Sequence, residues 1–364
     1  MEGLELLGNI RKYLVRLGKK SWLRIAPLFN CSQGTNCMII PPKYILTPTI
    51  TKHLQAIEAA RQIIDTITIP PEFERNIRQK SFLKSSLFSA RIEGNPLTLE
   101  EVTTRPSQDQ KKREVTNILS AMILVKNRGE KAATLSFLLK LHEKVMAGLI
   151  GKKNVGNFRK EVSAIFNTAG IAIYMPPPPN LVLPLMERFI KTINSEREQF
   201  VPIRAALAHY TFEKIHPFLD GNGRVGRLLF QSVLEKSGYR MKGLLSVEEY
   251  LDKHRSEYYD VLSIGERDVT AYVEFMLKGI AETAEHAKTL VMNKKETKAE
   301  DYLLPRRAGI YQIIKDHKLV NFDMLRRRFL KINERTLRYD LKQLQDARLI
   351  RKLGTTKGVY YQAV

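Results

Sequence analysis

The chain has 364 residues, 43% of them hydrophobic and 8% aromatic, which is enough apolar material for two or three soluble globular domains. Lys and Arg number 60 against 38 Asp and Glu, and the distribution of the resulting +22 formal charge says more than its size. No apolar run reaches a membrane span, and the two cysteines, Cys31 and Cys37, have no His or Cys at metal spacing, which excludes a zinc site or disulfide framework and suggests a reducing cytoplasm.

Residues 1–37 form a basic leader in which Leu4, Leu7, Leu14 and Leu17 are interspersed with Arg11, Lys12, Arg16, Lys19 and Lys20. That pattern suits a membrane-surface or targeting helix. The expectation adopted is that translation starts at Met38. From there the fold class is mainly α, because apolar residues recur at helical spacing. The runs are Ile57-Ala60-Ile64, Val115-Leu119-Met122-Leu124, Phe137-Leu138-Leu141-Val145, Leu183-Met186-Phe189-Ile190 and Ala205-Ala208-His209-Phe212. Within the first helical region, 38–113, lies Ser89-Ala90-Arg91-Ile92-Glu93-Gly94-Asn95. Its plain reading is a solvated helix-end Glu93 followed by a glycine C-cap. Between 114 and 290, β-branched and aromatic residues on either side of Thr168-Ala169-Gly170 predict a short hairpin, and four prolines, Pro176 to Pro179, follow it.

The most informative stretch runs from His216 to Arg227, His-Pro-Phe-Leu-Asp-Gly-Asn-Gly-Arg-Val-Gly-Arg. Gly221 and Gly223 can take positive φ and bring bare N–H groups to an anion, and a predicted helix from Val225 to Ser237 adds its positive dipole end. Arg224 and Arg227, three apart, fall on one face of that helix and can hold phosphate oxygens. Asp220 is a hard oxygen ligand suited to Mg²⁺ beside a polyphosphate. His216 can take a proton at neutral pH. Nucleotide-dependent group transfer follows. No Gly-Lys-Ser/Thr or βαβ pattern is present, so this is neither a Walker A loop nor a dinucleotide fingerprint.

These residues resemble the Fic (filamentation-induced-by-cAMP) family motif, His-x-Phe-x-Asp/Glu-Gly-Asn-Gly-Arg-x-x-Arg. The resemblance implies an adenylyltransferase that moves AMP from ATP onto a hydroxyl of a target protein. In that reading His216 is the general base, Phe218 a core anchor and Asp220 the Mg²⁺ ligand. Gly221, Asn222, Gly223, Arg224, Val225, Gly226 and Arg227 bind the phosphates, and Tyr258 meets the base. Relatives often carry Asn before Arg where this chain has His254-Arg255, which affects the nucleobase contacts. Ser89, Glu93 and Gly94 match the family's inhibitory helix pattern, in which Glu93 would pair with Arg227 and misplace the γ-phosphate. The hairpin, 159–176, would be the flap along which an extended segment of the target docks. Phosphorylation and AMP removal remain alternatives on the same fold, as does an ATP-sensing transcription regulator.

After a charged linker, 291–304, residues 305–364 carry fifteen Lys or Arg against five acids, nearly half of the excess charge. Helices are predicted over Ala308–Asp316 and Phe322–Phe329, with Asn333 capping a third that turns Leu337, Leu341 and Leu344 inward. A hairpin over Leu349–Leu353 and Val359–Gln362 follows. The order resembles a winged helix-turn-helix, with Arg335, Arg338 and Lys342 facing DNA and Lys357 on the wing. The expected partners are thus ATP with Mg²⁺, a target protein, DNA, and a second copy in a homodimer.

Overall fold

The structure is a computed structural model that describes residues 38–364 apart from 70, 107, 130, 167–171, 196, 240, 293–302, 331 and 355–357. The chain divides after Ile39, and the basic leader with Cys31 and Cys37 lies outside the described residues. In the unit from Ile40 onward the first helix, α1 (Pro48–Thr66), starts at Thr47, whose side chain accepts from the Ile50 N–H. Pro48 stands where no N–H is needed. Ile50, Ile57, Ala60 and Ile64 form its buried stripe, packed against α11 (Thr270–Met292).

Next come α2 (Pro71–Ile92), α3 (Leu99–Thr104), α4 (Gln110–Arg128) and α5 (Leu135–Met146). Thr98 and Glu101 close a reciprocal capping box on α3, while Asp109 and Thr134 cap α4 and α5. In α4 the buried face is Val115, Ile118, Ala121, Met122 and Val125, so the expected Leu119 and Leu124 lie only part-buried. The small Ala121 is among the residues turned inward on α4, which packs against α2 and α8, whereas apolar periodicity favoured the larger leucines. The same rotation occurs in α6 (Pro179–Asn194), where Val182, Leu185, Met186, Phe189 and Ile193 are inside. Leu183 is 49% exposed, against expectation, and Ile190 is part-buried.

The predicted hairpin is present as β1 (Ile165–Phe166) paired antiparallel with β2 (Ala172–Tyr174), its tip outside the described residues. The centre of the fold is α7 (Val201–Ile215), in which every residue from Pro202 to Ile215 is buried. A helix enclosed all round must answer each polar group internally. His209 does so with Tyr272 on Nδ1 at 2.8 Å and Tyr258 on Nε2 at 3.1 Å, and Lys214 Nζ reaches the Ser263 carbonyl at 3.1 Å. Against α7 lies α8 (Asn222–Lys236), followed by α9 (Val247–Lys253) and α10 (Arg255–Ser263).

The last sixth has its own core of Ile310, Ile314, Val320, Leu325, Leu337, Leu341, Leu344 and Ile350. Its order is α12 (Pro305–His317), β3 (Val320–Asn321), α13 (Phe322–Arg328), α14 (Glu334–Asp346), β4 (Ile350–Leu353) and β5 (Tyr360–Ala363). Pro305 starts α12 three residues ahead of the expected Ala308, and β3 adds an unforeseen third strand, giving an antiparallel sheet in the order β3-β5-β4. Asn333 caps α14 as expected, accepting from the Arg335 N–H. α12 also packs on α3.

Asp340 is 0% exposed and receives Arg306 Nε at 2.5 Å and Arg307 Nε at 3.1 Å. Asp340→Ala leaves both guanidiniums unanswered, but they are part-exposed and can turn to water, so the expected cost is about 2 kcal/mol rather than the fully buried figure. Urea unfolding of the full chain measures it. A loss under about 0.5 kcal/mol would show that this cluster does not hold α12 to α14.

Candidate functional site

The site is made where α7 ends and α8 begins. His216 is the C-cap of α7 with φ 49° and ψ 60°, a left-handed conformation that stops the helix and turns the chain into Pro217. Phe218 is fully buried, with its ring stacked 3.8 Å from His142 at an interplanar angle of 6°. His142 Nδ1 accepts from the Gly156 N–H at 2.9 Å, so Nε2 carries the proton and donates to the Asp220 carbonyl at 3.0 Å. Asn222 Oδ1 accepts from the Phe218 N–H and its Nδ2 donates to the Phe218 carbonyl, which closes the loop on itself.

The sequence reading assigned Asn222, Val225 and Gly226 to the phosphates, but the structure turns the side chains of Asn222 and Val225 elsewhere and sets Gly226 against α7. Asn222 spends both polar atoms bracing the loop, Val225 is core, and Gly226 packs on α7, where an added Cβ would lie 2.3 Å from Glu213 Oε1. What the turn offers an anion is backbone. Gly221 (φ 84°) is the N-cap, so the N–H groups of Asn222, Gly223 and Arg224 have no intrahelical acceptor. Gly223 was expected at positive φ but lies inside the first turn of α8. It lacks a side chain for another reason, since a Cβ there would meet Glu93 Oε1 at 2.4 Å.

Arg224 and Arg227 lie one helical turn apart and meet different acids. Arg224 donates to Glu114 Oε1 at 2.6 Å and Asp220 Oδ1 at 2.7 Å. Arg227, 2% exposed, donates to Glu93 Oε1 at 2.8 Å and to the hydroxyl and carbonyl of Ser89, each at 2.9 Å. Glu93 stands just past α2, which ends in a Schellman-type closure: Asn95 N–H reaches the Ala90 carbonyl at 3.1 Å and Gly94 has φ 93°. The glycine cap and the ion pair are therefore two parts of one arrangement. Burial pushes the Glu93 carboxyl up, but Arg227 and then Arg224 outweigh it, and its pKa lies below the ordinary value. Glu114 is raised, chiefly by burial, against the pull of Arg224 and of Asn95, whose Nδ2 donates to it at 2.8 Å.

The His216 pKa falls to about 4. Burial is the first cause and Arg159 adds to it, opposed by the Glu213 carbonyl, Glu93 and Asp220. Its Nδ1 faces the Glu213 carbonyl at 3.3 Å and must donate there, which leaves the Nε2 lone pair free at neutral pH. Glu213 itself is pushed up to about 8 by burial, and its Oε2 lies 4.0 Å from His216 Nδ1. Tyr258, expected at the nucleobase, is 1% exposed with its hydroxyl bonded to His209. The neighbouring Tyr259, 44% exposed, reaches the Ile92 carbonyl instead.

Asp220 is the one carboxylate of the motif with substantial exposure, 53% of its side chain. Among the described residues no group of three or more His, Cys, Asp or Glu could hold a metal alone. A single open carboxylate fits Mg²⁺ when a polyphosphate supplies further oxygens. Sequence reasoning gave no role to Glu114, His142 or Arg159, which bond to partners 110, 78 and 57 residues away. Arg335, Arg338 and Lys342 stand exposed on α14, and Lys357 lies outside the described residues.

Residues 132–234 match the family model described as Fic/DOC family. The protein adenylyltransferase Fic of Drosophila erecta is 29% identical over 238 residues, 62% of this chain and 46% of that protein, and the Drosophila melanogaster protein gives the same figures. The chain thus spans about half the length of the curated relatives it matches. Among solved structures, a Fic family protein from Desulfovibrio desulfuricans matches with a TM-score of 0.60 at 25% identity, covering 89% of this chain and 98% of that one. Fic-1 from C. elegans matches in fold with a TM-score of 0.54 at 20% identity, over 68% of this chain and 73% of that one. The left-handed histidine, the glycine turn and both guanidiniums all fall within residues 132–234, the stretch that matches the Fic/DOC family model.

Proposed function

We propose that this chain is an autoinhibited protein adenylyltransferase with a DNA-binding C-terminal domain. The observation that carries the reading is the Glu93–Arg227 pair at 2.8 Å, set beside a glycine turn and a neutral histidine. In the active state His216 Nε2 takes the proton of a target hydroxyl. The hydroxyl oxygen bonds to the α-phosphorus of ATP, the bond from that phosphorus to the oxygen bridging to the β-phosphate breaks, and pyrophosphate leaves. The N–H groups of the α8 first turn and the two guanidiniums hold the phosphates. Mg²⁺ supplies charge neutralisation on the polyphosphate, and Asp220 is the residue that would hold it. The target segment pairs with the flap between Arg159 and Pro176, where backbone contacts place its hydroxyl near His216.

Inhibition follows from electrostatics. A γ-phosphate and the Glu93 carboxylate compete for Arg227, and while Glu93 holds it the polyphosphate is misplaced. In the C-terminal part, three helices, a three-stranded antiparallel sheet and exposed cations on α14 support the winged helix-turn-helix reading. Arg335, Arg338 and Lys342 would then face the major groove. The named relatives are adenylyltransferases, which favours AMP transfer over phosphorylation.

Glu93→Gly is expected to raise labelling of proteins from ATP marked at the α-phosphate about tenfold or more, for an ion pair that is part-exposed. His216→Ala in that background should abolish the label while ATP still binds. Unchanged labelling in Glu93→Gly would remove the inhibitory role.

Because burial keeps His216 neutral down to about pH 4, transfer by Glu93→Gly should not fall as pH drops from 8 to 6. Glu213 is raised to about 8 by burial with Glu93 adding to it, so it titrates lower once Glu93 is replaced, and any limb that it produces should vanish in Glu213→Gln. A rate that halves near pH 6.5 would place His216 in a water-like setting and contradict the mechanism.

Replacing Arg335 and Arg338 by Ala should weaken DNA binding and reduce the slope of log K against log salt by about 2. Titrations at several salt concentrations measure it, and an unaltered slope would take α14 out of the DNA interface.

A further inference from the structure

The left-handed His216 needs something to keep it there, since this conformation costs a non-glycine residue about 1 kcal/mol or more. Pro217 already bars a further turn of α7, since it has no N–H to give and disfavours helical backbone at the residue before it, yet it leaves extended conformations open to His216. What selects the left-handed one is Arg159, at the stem of the flap. Its side chain is buried, with 4% of the residue exposed, and each hydrogen bond it makes among the described residues goes to a main-chain carbonyl, none to an acid. Nε donates to His216 O at 2.8 Å, Nη2 to Ile215 O at 3.4 Å and to Pro177 O, and Nη1 to Glu161 O at 3.1 Å. The Arg159 main-chain N–H adds Pro217 O at 2.9 Å.

We propose that Arg159 is a positioning residue for the transfer reaction, a buried cation that closes the C-terminal end of α7, locks the backbone of His216 and ties both stems of the flap to it. The inference rests on the reading of His216 as general base. Three successive carbonyls, Ile215 to Pro217, are held by one residue, and two more bonds reach Glu161 before the hairpin and Pro177 after it. The base and the docking edge of the target therefore share one anchor. Burying a guanidinium without an acid costs several kcal/mol. Here the cost is offset by charge-assisted bonds to carbonyls at the negative end of the α7 dipole. Tyr174 Oη on β2 takes the next carbonyl back, Lys214 O, at 2.8 Å, so the flap completes the cap from its other strand.

Arg is required by this geometry because a planar fork reaches several acceptors at once, whereas a lysine ammonium in the same place reaches one or two. The charge has a second effect. The titratable and charged groups facing the imidazole are Arg159, Glu93, Asp220 and Glu213 on its own helix, and Arg159 alone among them is a cation. Burial is the main reason that His216 is neutral, and Arg159 adds to it against Glu93 and Asp220.

The test uses the full chain carrying Glu93→Gly, with Arg159→Met and Arg159→Lys added separately, each checked by thermal melting. Nuclear magnetic resonance of labelled histidine follows the His216 titration, identified by its loss in His216→Ala. Arg159→Met should raise the midpoint by about one pH unit, tenfold in proton affinity. Arg159→Lys should keep most of the low midpoint yet lower the kcat of label transfer from α-labelled ATP about 10²-fold, with ATP affinity unchanged, as expected for a misplaced base. If Arg159→Met does not fold, Arg159→Lys decides by that split between kcat and binding. An unmoved midpoint with full transfer in a folded variant overturns the proposal. Absence of transfer in Glu93→Gly itself, with the midpoint still moved by Arg159→Met, would fell the adenylyl-transfer reading and leave the positioning role standing.

Discussion

A guanidinium with 2% of its surface exposed has to be answered by acceptors, and at Arg227 one of them is an acid that stands 134 residues earlier in the chain, at the end of α2. Much of the site's geometry follows from this requirement. α2 must end where Glu93 can turn inward, so Gly94 takes a positive φ there. α8 must pass close enough for the pair to form, so the residue facing Glu93 one turn earlier is Gly223. A second glycine, Gly226, lets α8 rest against the buried Glu213 on α7. The two glycines separate the helix into a face that meets Glu93 at the end of α2 and a face that meets the core.

Burial then determines protonation. α7 is enclosed on all sides, and it carries His209, Glu213 and, at its end, His216. In such surroundings the charged forms are disfavoured, which lowers the histidines and raises the carboxyl. A neutral imidazole with a proton on Nδ1 and a lone pair on Nε2 is the product of that environment rather than of any single neighbour. The strong electrostatics of the two guanidiniums lie on α8, one helix away, and the acids that answer them come from α2, α4 and the glycine turn.

The twelve residues from His216 to Arg227 were legible because each type is chemically specific at close spacing. The Glu93-Gly94 signal was legible because a helix end and an acid coincide there. Glu114 and Arg159 were not, since a charge that bonds across 110 or 57 residues leaves no periodic trace. Helix faces were read approximately. Hydrophobic ranking favours Leu119 and Leu183, but packing selects whichever residue lets helices approach, and at α4 that includes Ala121. Tyr258 failed as a surface contact for a related reason: a buried His209 needs two hydroxyl partners, and Tyr258 is one of them. In the C-terminal part the Asn333 cap was readable from chemistry alone, whereas the two-residue strand β3 carries no pattern long enough to see.

The acids around the two guanidiniums are unequal in what holds them. Glu114 lies within α4 and is also bonded to Asn95, and Asp220 is fixed by the adjacent Gly221 N–H. Among the described residues the Glu93 carboxylate has no hydrogen-bond partner beyond Arg227, stands past the last turn of α2 beside a glycine, and keeps 29% of its side chain exposed. The least tethered of the three carboxylates is therefore Glu93. Moving it would expose Arg227 and leave the glycine turn and the histidine behind it undisturbed, because the Asn222 brace and the left-handed His216 make no bond to Glu93.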